Sequence, residues 1–186
     1  MMDEFVYARE LKFELFISEA AIQKRIEVLA QQIVERYKDQ RPVFLGVLNG
    51  AFIFAADLIR ACSFACETSF IKLSSYKGMK SSGQVAAVIG LELDIKGRHI
   101  ILVEDIIDTG NTMHSFLPEL LALEPASISL ASLLVKREAM EYDIEIDYVG
   151  FEIPNRFVIG YGLDYDGEGR NFRGIYQLVE RGGERL

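Results

Sequence analysis

"HIILVEDIIDTGNTM", residues 99–113, contains an apolar run, three acids and a polar turn in immediate succession. The run IILV is typical of a strand that is buried on both faces of a sheet. The turn TGNT would open a helix, where free backbone N–H groups and the helix dipole favour a bound anion. The sequence therefore predicts a strand–turn–helix unit in which Glu104, Asp105 and Asp108 stand beside a phosphate-binding turn.

Helix-like and strand-like segments alternate on both sides of this unit. A helix is predicted from the N-cap Ser18 to about Tyr37, and apolar runs at 43–48 and 128–135 predict buried strands. Further predicted elements are a helix over AFIFAADLIRAC, strands over TSFIKL and VAAVIGLEL, and a helix that follows the turn, contains Pro118 and ends near Leu123. Such alternation predicts an α/β fold with a central, mainly parallel sheet flanked by helices.

The last third of the chain has a different sequence pattern. It contains the short strand-like segments YVGFEI, FVIG and IYQLV between glycine-rich turns. We assign these segments to a small hood over the main sheet. The prediction is a single domain over residues 1–186, with a core at about 16–135 and a hood built from the N-terminal arm and about 137–186.

Composition excludes several classes of function. Twenty-eight acids against 20 bases give a formal net charge of −8, which argues against a nucleic-acid partner. The longest apolar stretch is interrupted by Asp57, so no segment reaches the roughly 18 residues that would span a membrane. The first ten residues carry acids and no apolar signal core, and we expect a cytoplasmic protein.

Carboxylates and a phosphate repel one another, so the acids and the turn would bind different ends of one elongated ligand. A ribose 5-phosphate has that shape, because the N–H groups would hold its phosphate while the acids accept hydrogen bonds from its 2′ and 3′ hydroxyls. The alternative is purely structural, with Asp108 as a helix cap and Glu104 and Asp105 as solvated turn acids.

The same segment resembles a known sequence signature. VEDIIDTGNT is similar to the phosphoribosyl-pyrophosphate motif of the type I phosphoribosyltransferase family, in its hypoxanthine/guanine branch. Four further matches occur in the family's order, namely VLNGAF, SSYKGMKSSG, LLVKR and FEIPNRFVIGYGLDY. The family fold, a parallel sheet with a small hood, agrees with the architecture predicted above.

The resemblance implies contacts to the sugar, its phosphates and a metal. Glu104 and Asp105 match the acids that hold the ribose hydroxyls. The residues that match the 5′-phosphate loop are Thr109, Gly110, Asn111 and Thr112. Those that match the pyrophosphate subsite are Asn49, Gly50 and Arg170, although family members often carry a basic residue where Asn49 stands. Asp164 matches the ligand of Mg²⁺, with Glu104 and Asp105 as candidate further ligands.

The resemblance also implies a purine site. Asp108 matches the general base near purine N7, and Lys136 matches the donor to the purine 6-oxygen. Phe157 matches the ring that stacks on the base, and Val158 its neighbour that meets the base through its backbone. The residues that match the mobile loop over the reacting centre are Ser75 and Tyr76.

The implied reaction transfers ribose 5-phosphate from phosphoribosyl pyrophosphate to N9 of a 6-oxo purine and releases pyrophosphate. The implied cofactor is Mg²⁺, and the implied assembly is a homo-oligomer, a dimer or a tetramer. One rival is a non-catalytic regulator of the same fold that binds nucleic acid, which the net charge of −8 disfavours. A transferase specific for xanthine or a pyrimidine is disfavoured by the segments VKR and FVIG.

Each match has a structural alternative when it is taken singly. Lys136 and Arg137 are then a charge pair at a strand end, Phe157 is a core residue, and the loop 74–84 is an ordinary connection. Only the joint order of the motifs favours the functional interpretation.

Overall fold

The computed structural model describes residues 4–75 and 85–179, and these ranges contain two β-sheets and three α-helices. The strands are β1 Phe5–Ala8, β2 Leu11–Ile17, β3 Val43–Leu48, β4 Glu67–Ser75, β5 Val85–Ile89, β6 His99–Ile107, β7 Ser127–Val135, β8 Tyr148–Glu152, β9 Val158–Ile159 and β10 Ile175–Leu178. The helices are α1 Glu19–Tyr37, α2 Phe52–Ala61 and α3 Asn111–Leu121.

The larger sheet has the order β5-β4-β3-β6-β7-β8. Its neighbours from β4 to β8 are parallel, and only β5 at the edge runs antiparallel to β4. This sheet confirms the predicted fold class. The strand predicted over VAAVIGLEL is shorter than expected and ends at Ile89, because Gly90 turns the backbone with a φ of +107°.

Helices cover both faces of this sheet. Successive side chains of a strand point to opposite faces, and in these strands the side chains on both faces are apolar. Ile101 and Val103 of β6 pack in the cluster that contains α1 and α2 residues. Ile100 and Leu102 pack on the opposite side, in the cluster that contains Phe116 of α3. The predicted cap of α1 is confirmed, since Ser18 accepts a hydrogen bond from the Ala21 backbone N–H at 3.3 Å.

The helix α3 runs through its internal proline. Pro118 cannot donate a backbone hydrogen bond, but its carbonyl accepts one from the Ala122 N–H at 3.0 Å, so the helical spiral persists to its end. The helix ends at Leu121, two residues before the predicted position. Within the described ranges, no helix is long and apolar enough to cross a membrane.

The smaller sheet is antiparallel, in the order β1-β2-β10-β9, and joins the N-terminal arm to residues 158–178. We call it the hood sheet. The assignment of YVGFEI to the hood was wrong, because β8 pairs in parallel with β7 at the edge of the main sheet. Tyr148 and Gly150 are buried there, and a Cβ at Gly150 would lie 2.2 Å from the Leu133 carbonyl oxygen. The division into one domain with a core and a hood stays a prediction.

Candidate active site

The predicted site residues follow three adjacent parallel strands of the main sheet. Asn49 and Gly50 follow β3, the segment 108–112 follows β6, and Lys136 follows β7. Because parallel strands end at the same edge, these segments gather where ligands bind in α/β sheets.

The turn before α3 has the shape that an anion site needs. Gly110 is the N-cap, with a φ of +81°, and it offers no side chain to the first N–H groups of the helix. The backbone angle favours glycine at this position, where a Cβ would also lie 2.7 Å from the terminal Cδ1 of Ile144. Thr109 braces the turn by accepting the Asn111 N–H through Oγ1 at 3.3 Å.

The acids Glu104 and Asp105 lie on β6 itself, which extends beyond the apolar run IILV from which the strand was predicted. After its pairing with β3 ends at Val103, β6 continues along β7 as far as Ile107. Glu104 is only 9% exposed, so it is not a solvated turn acid. Among the described residues, its Oε2 is a buried oxygen without a hydrogen-bond partner.

Burial governs the ionisation of this acid pair. It raises the pKa of Glu104 well above the ordinary range, and the neighbouring Asp105 carboxylate raises that pKa further. Burial also raises the pKa of Asp105. Hydrogen bonds from the Ile106 and Asp105 backbone N–H groups and from Glu104, and lastly the Arg170 guanidinium, oppose this rise. Glu104 is therefore the member of the pair that retains a proton more readily.

We expect Glu104→Gln to stabilise the free protein and to weaken sugar-phosphate binding. The folded protein holds a proton on Glu104 at pH values where the unfolded chain has lost it, so the free energy of unfolding falls as pH rises above about 4. Glutamine removes this dependence. The variant should melt a few degrees higher near neutral pH, since about 1 kcal/mol shifts Tm by roughly 2–4 °C in a chain of this size. Melting curves from pH 5 to 8 measure the difference, and a gap that does not widen with pH would contradict the role of burial.

Asp108 and Lys136 form an ion pair, with 2.6 Å between Asp108 Oδ2 and Lys136 Nζ. The Lys136 side chain is 8% exposed and that of Asp108 is 47% exposed, so the acid stands between the buried ammonium and solvent. The main chain fixes this position, because the Lys136 N–H donates to the Ile107 carbonyl at 2.9 Å.

Two of the purely structural alternatives, for Asp108 and for Lys136, do not hold. The N-cap of α3 is Gly110, so Asp108 is not the helix cap. Lys136 and Arg137 do not act as one charge pair, because Arg137 binds Glu152 instead, with 2.9 Å between Nε and Oε1.

Phe157 presents a partly open aromatic ring just before β9. It is 45% exposed, so it is not a core residue. Phe13 of β2 and Tyr165 support it, with ring centroids 6.1 and 5.8 Å away. The neighbouring Val158 is buried. None of the hydrogen bonds or ring contacts in the described ranges joins Phe157 to Lys136, so their meeting on one purine stays a prediction.

Gly50, Asp105, Asp164 and Arg170 come together across the two sheets. A Cβ at Gly50 would lie 1.6 Å from Asp105 Oδ2, so only glycine admits this carboxylate. Arg170 binds Asp164, with 2.6 Å between Nη2 and Oδ1. Its Nη1 donates to the Gly162 carbonyl at 2.7 Å. We call these four residues the pyrophosphate side, because Gly50 and Arg170 among them were predicted to bind pyrophosphate.

Gly162 lies within the segment FEIPNRFVIGYGLDY, but no role was predicted for it from the sequence. Its φ is +105°, and a Cβ there would lie 2.0 Å from the Gly50 carbonyl oxygen. This contact brings the segment 160–170 against the loop after β3. The spacing of two glycines around Tyr161 was the available signal for such a close approach.

Two predicted site features stand apart from these contacts. The Asn49 side chain is exposed, and the peptide between Leu48 and Asn49 is cis. Ser75 is the last residue of β4, while Tyr76 and the rest of the predicted mobile loop, up to residue 84, lie outside the described residues.

Known proteins resemble this chain over most of its length. The sequence profile of the phosphoribosyl transferase domain matches residues 17–166. The hypoxanthine-guanine phosphoribosyltransferase of Aquifex aeolicus is 42% identical over 174 residues, which cover 92% of this chain and 98% of that protein. The hypoxanthine phosphoribosyltransferase of Escherichia coli K12 is 44% identical over 156 residues, which cover 82% and 87%.

A solved structure agrees with these matches. The crystal structure of a hypoxanthine phosphoribosyltransferase from Staphylococcus aureus superposes with a TM-score of 0.84 at 34% identity. The superposition covers 89% of this chain and 91% of that one.

Proposed function

Because this chain belongs to the phosphoribosyl transferase domain family, we propose that it is a purine salvage enzyme. It transfers ribose 5-phosphate from phosphoribosyl pyrophosphate to N9 of hypoxanthine, and of guanine, giving IMP or GMP and pyrophosphate. The observation that carries this function is the ion pair of Asp108 and buried Lys136 at the end of the sheet that also bears the anion turn.

The purine is recognised through complementary hydrogen bonds. Lys136 only donates, and the 6-oxygen of hypoxanthine or guanine is an acceptor, so the purine replaces Asp108 as a partner of the ammonium. Asp108 then turns to the imidazole side of the base and accepts its N7 proton. The open face of the Phe157 ring offers the stacking surface, and the hood sheet holds that ring through Phe13.

The sugar phosphate binds along the end of β6. The N–H groups at the start of α3 bind the 5′-phosphate, and Glu104 and Asp105 accept hydrogen bonds from the ribose hydroxyls. The buried oxygen of Glu104 that lacks a partner among the described residues supports this role, since buried polar atoms are ordinarily hydrogen-bonded.

Mg²⁺ fits the chemistry of the remaining groups. The ion prefers oxygen ligands and is commonly bound by one or two carboxylates together with substrate phosphates. Asp164 offers such oxygens, with Glu104 and Asp105 as candidate further ligands. In the described ranges no group of three or more His, Cys, Asp or Glu side chains is placed to hold a metal ion, so phosphate oxygens of the substrate would complete its coordination. When bound, Mg²⁺ neutralises charge on the departing pyrophosphate.

The reaction forms the N9–C1′ bond and breaks the bond between C1′ and the pyrophosphate oxygen, with inversion at C1′. Positive charge develops on the ribose as the bond breaks, and negatively charged groups near the ribose stabilise such a transition state. Arg170 faces the leaving group, and Asp108 takes the proton that the purine loses.

We expect turnover to fall when excess EDTA is added and to recover when Mg²⁺ is restored, because the Arg170 guanidinium alone cannot neutralise the several negative charges of pyrophosphate. The rate of IMP formation from hypoxanthine and phosphoribosyl pyrophosphate measures this. Full turnover in excess chelator would contradict the metal assignment.

The proposed function is tested by product analysis. Purified protein with hypoxanthine, phosphoribosyl pyrophosphate and Mg²⁺ should form IMP and pyrophosphate in equal amounts. Hydrolysis of phosphoribosyl pyrophosphate without IMP would overturn the proposal. We also propose a cytoplasmic enzyme that assembles as a dimer or a tetramer, which size-exclusion chromatography with light scattering tests.

A further inference from the structure

A partly buried polar cluster behind the pyrophosphate side is not used by the reaction above. Tyr161 is 3% exposed, and its hydroxyl donates to Asp57 Oδ2 on α2. Gln23 of α1 braces both groups, since its Nε2 donates to Asp57 Oδ2 at 2.8 Å and to the Tyr161 hydroxyl at 3.2 Å. Arg60 forms a salt bridge with the other oxygen of Asp57, with 3.6 Å between Nη1 and Oδ1.

The two ends of the Tyr161–Asp57 bond belong to the two segments that meet at the pyrophosphate side. Tyr161 directly precedes Gly162, whose Cα approaches the Gly50 carbonyl so closely that a Cβ would lie 2.0 Å from it. Asp57 lies on α2, the helix that begins two residues after Gly50. The bond therefore spans the same gap as the Gly50–Gly162 contact.

The hydroxyl is more than a space-filling group. The backbone of Tyr161 has a φ of +49°, a left-handed conformation that residues other than glycine rarely adopt. The contacts of Tyr161 with its surroundings must therefore hold the backbone in this conformation. Burial, and then the Asp57 carboxylate, raise the pKa of the phenol above its ordinary range. The hydroxyl thus remains a donor to Asp57 throughout the pH range in which the protein would work.

We propose that Tyr161 and Asp57 are a positioning pair that sets Gly50 against Gly162 and so forms the pyrophosphate half of the site. This inference rests on the proposed function. The pair touches no substrate and acts through the backbone of Gly162, beyond which the chain continues to Asp164 and Arg170. None of its hydrogen bonds or ion pairs in the described ranges reaches Lys136 or Phe157, so loss of the hydroxyl with the ring kept should leave the purine half unchanged.

The test is Tyr161→Phe, which removes one oxygen and keeps the ring. Both the KM for phosphoribosyl pyrophosphate and the Kd of Mg²⁺-pyrophosphate, measured by calorimetry, should rise roughly tenfold, as for other groups that orient ligand-binding residues. The KM for hypoxanthine should change by less than about twofold, since that subsite keeps its contacts.

A matched control is Tyr37→Phe. Tyr37 is 1% exposed and its hydroxyl is hydrogen-bonded to Ser129 Oγ at 2.9 Å, so this change also removes a buried hydroxyl. It should lower Tm without changing either KM. Asp57→Asn keeps an acceptor oxygen and should retain more pyrophosphate affinity than Asp57→Ala, which serves as a second comparison if Tyr161→Phe folds poorly.

The outcomes separate this inference from the proposed function. Equal weakening of both substrates by Tyr161→Phe, or an unchanged pyrophosphate Kd with a lower Tm, would make the pair merely structural and overturn the inference. If the unmodified protein binds Mg²⁺-pyrophosphate but forms no IMP, the proposed function fails. The role of the pair is then still decided by comparing the Kd of Mg²⁺-pyrophosphate for the unmodified protein with that for Tyr161→Phe. No pyrophosphate binding by the unmodified protein would overturn the inference outright.

Discussion

Replacing Asp108 with asparagine should lower kcat for IMP formation by roughly 10²- to 10⁴-fold, the usual contribution of a general base. Asparagine has the same shape, but it cannot accept the purine proton. The 5′-phosphate contacts come from the backbone at the start of α3 and remain, so the Kd of phosphoribosyl pyrophosphate should change by less than about threefold. Steady-state kinetics and equilibrium binding together measure this separation.

The control for this change is Asp39→Asn, which alters an exposed carboxylate between α1 and the start of β3, at the opposite edge of the sheet, and should leave kcat unchanged. Near-normal turnover of Asp108→Asn would reduce Asp108 to a counterion of Lys136. A large loss of phosphoribosyl pyrophosphate affinity would instead show that this carboxylate shapes the phosphate turn.

Replacing Lys136 with methionine should lower kcat/KM for hypoxanthine by roughly 10- to 100-fold, because a hydrogen bond from a charged donor to the 6-oxygen is lost. Methionine fills much of the same buried volume, so packing around β7 is largely kept. The KM for phosphoribosyl pyrophosphate should change far less. Initial rates with each substrate varied in turn provide the two constants.

The adjacent residue supplies the control. Arg137→Met removes a neighbouring cation that is paired with exposed Glu152, and it should leave the kinetics for both substrates unchanged. Equal losses in Lys136→Met and Arg137→Met would mean that general positive charge at the end of β7, not a specific contact, supports turnover.

Local patterns were sufficient to predict most of the main sheet. The apolar runs of β3, β6 and β7 are buried on both faces, and Ser18 caps α1 as its side-chain chemistry predicts. The turn before α3 was also predictable, because glycine is a favoured residue at the start of a helix. The order of the motifs then identified the family.

Features that depend on distant partners were not predictable from local patterns. The extension of β6 through Glu104 depends on continued pairing with β7, so the acids became strand residues with one buried side chain. The short apolar segment of β8 could belong to either sheet by its sequence pattern. Only its pairing with β7 assigns it to the main sheet. The approach of Gly162 to Gly50 joins positions more than one hundred residues apart in sequence.

The most direct measurement is a panel of purines, namely hypoxanthine, guanine, xanthine and adenine, assayed with phosphoribosyl pyrophosphate and Mg²⁺. Adenine carries an amino donor where the 6-oxo purines carry an acceptor, so it would face the Lys136 ammonium with another donor. Sites built around a substrate hydrogen bond reject such analogues by as much as ~10⁴-fold. We predict high kcat/KM for hypoxanthine and guanine and rejection of adenine on that scale. Comparable kcat/KM values for adenine and hypoxanthine would contradict the account.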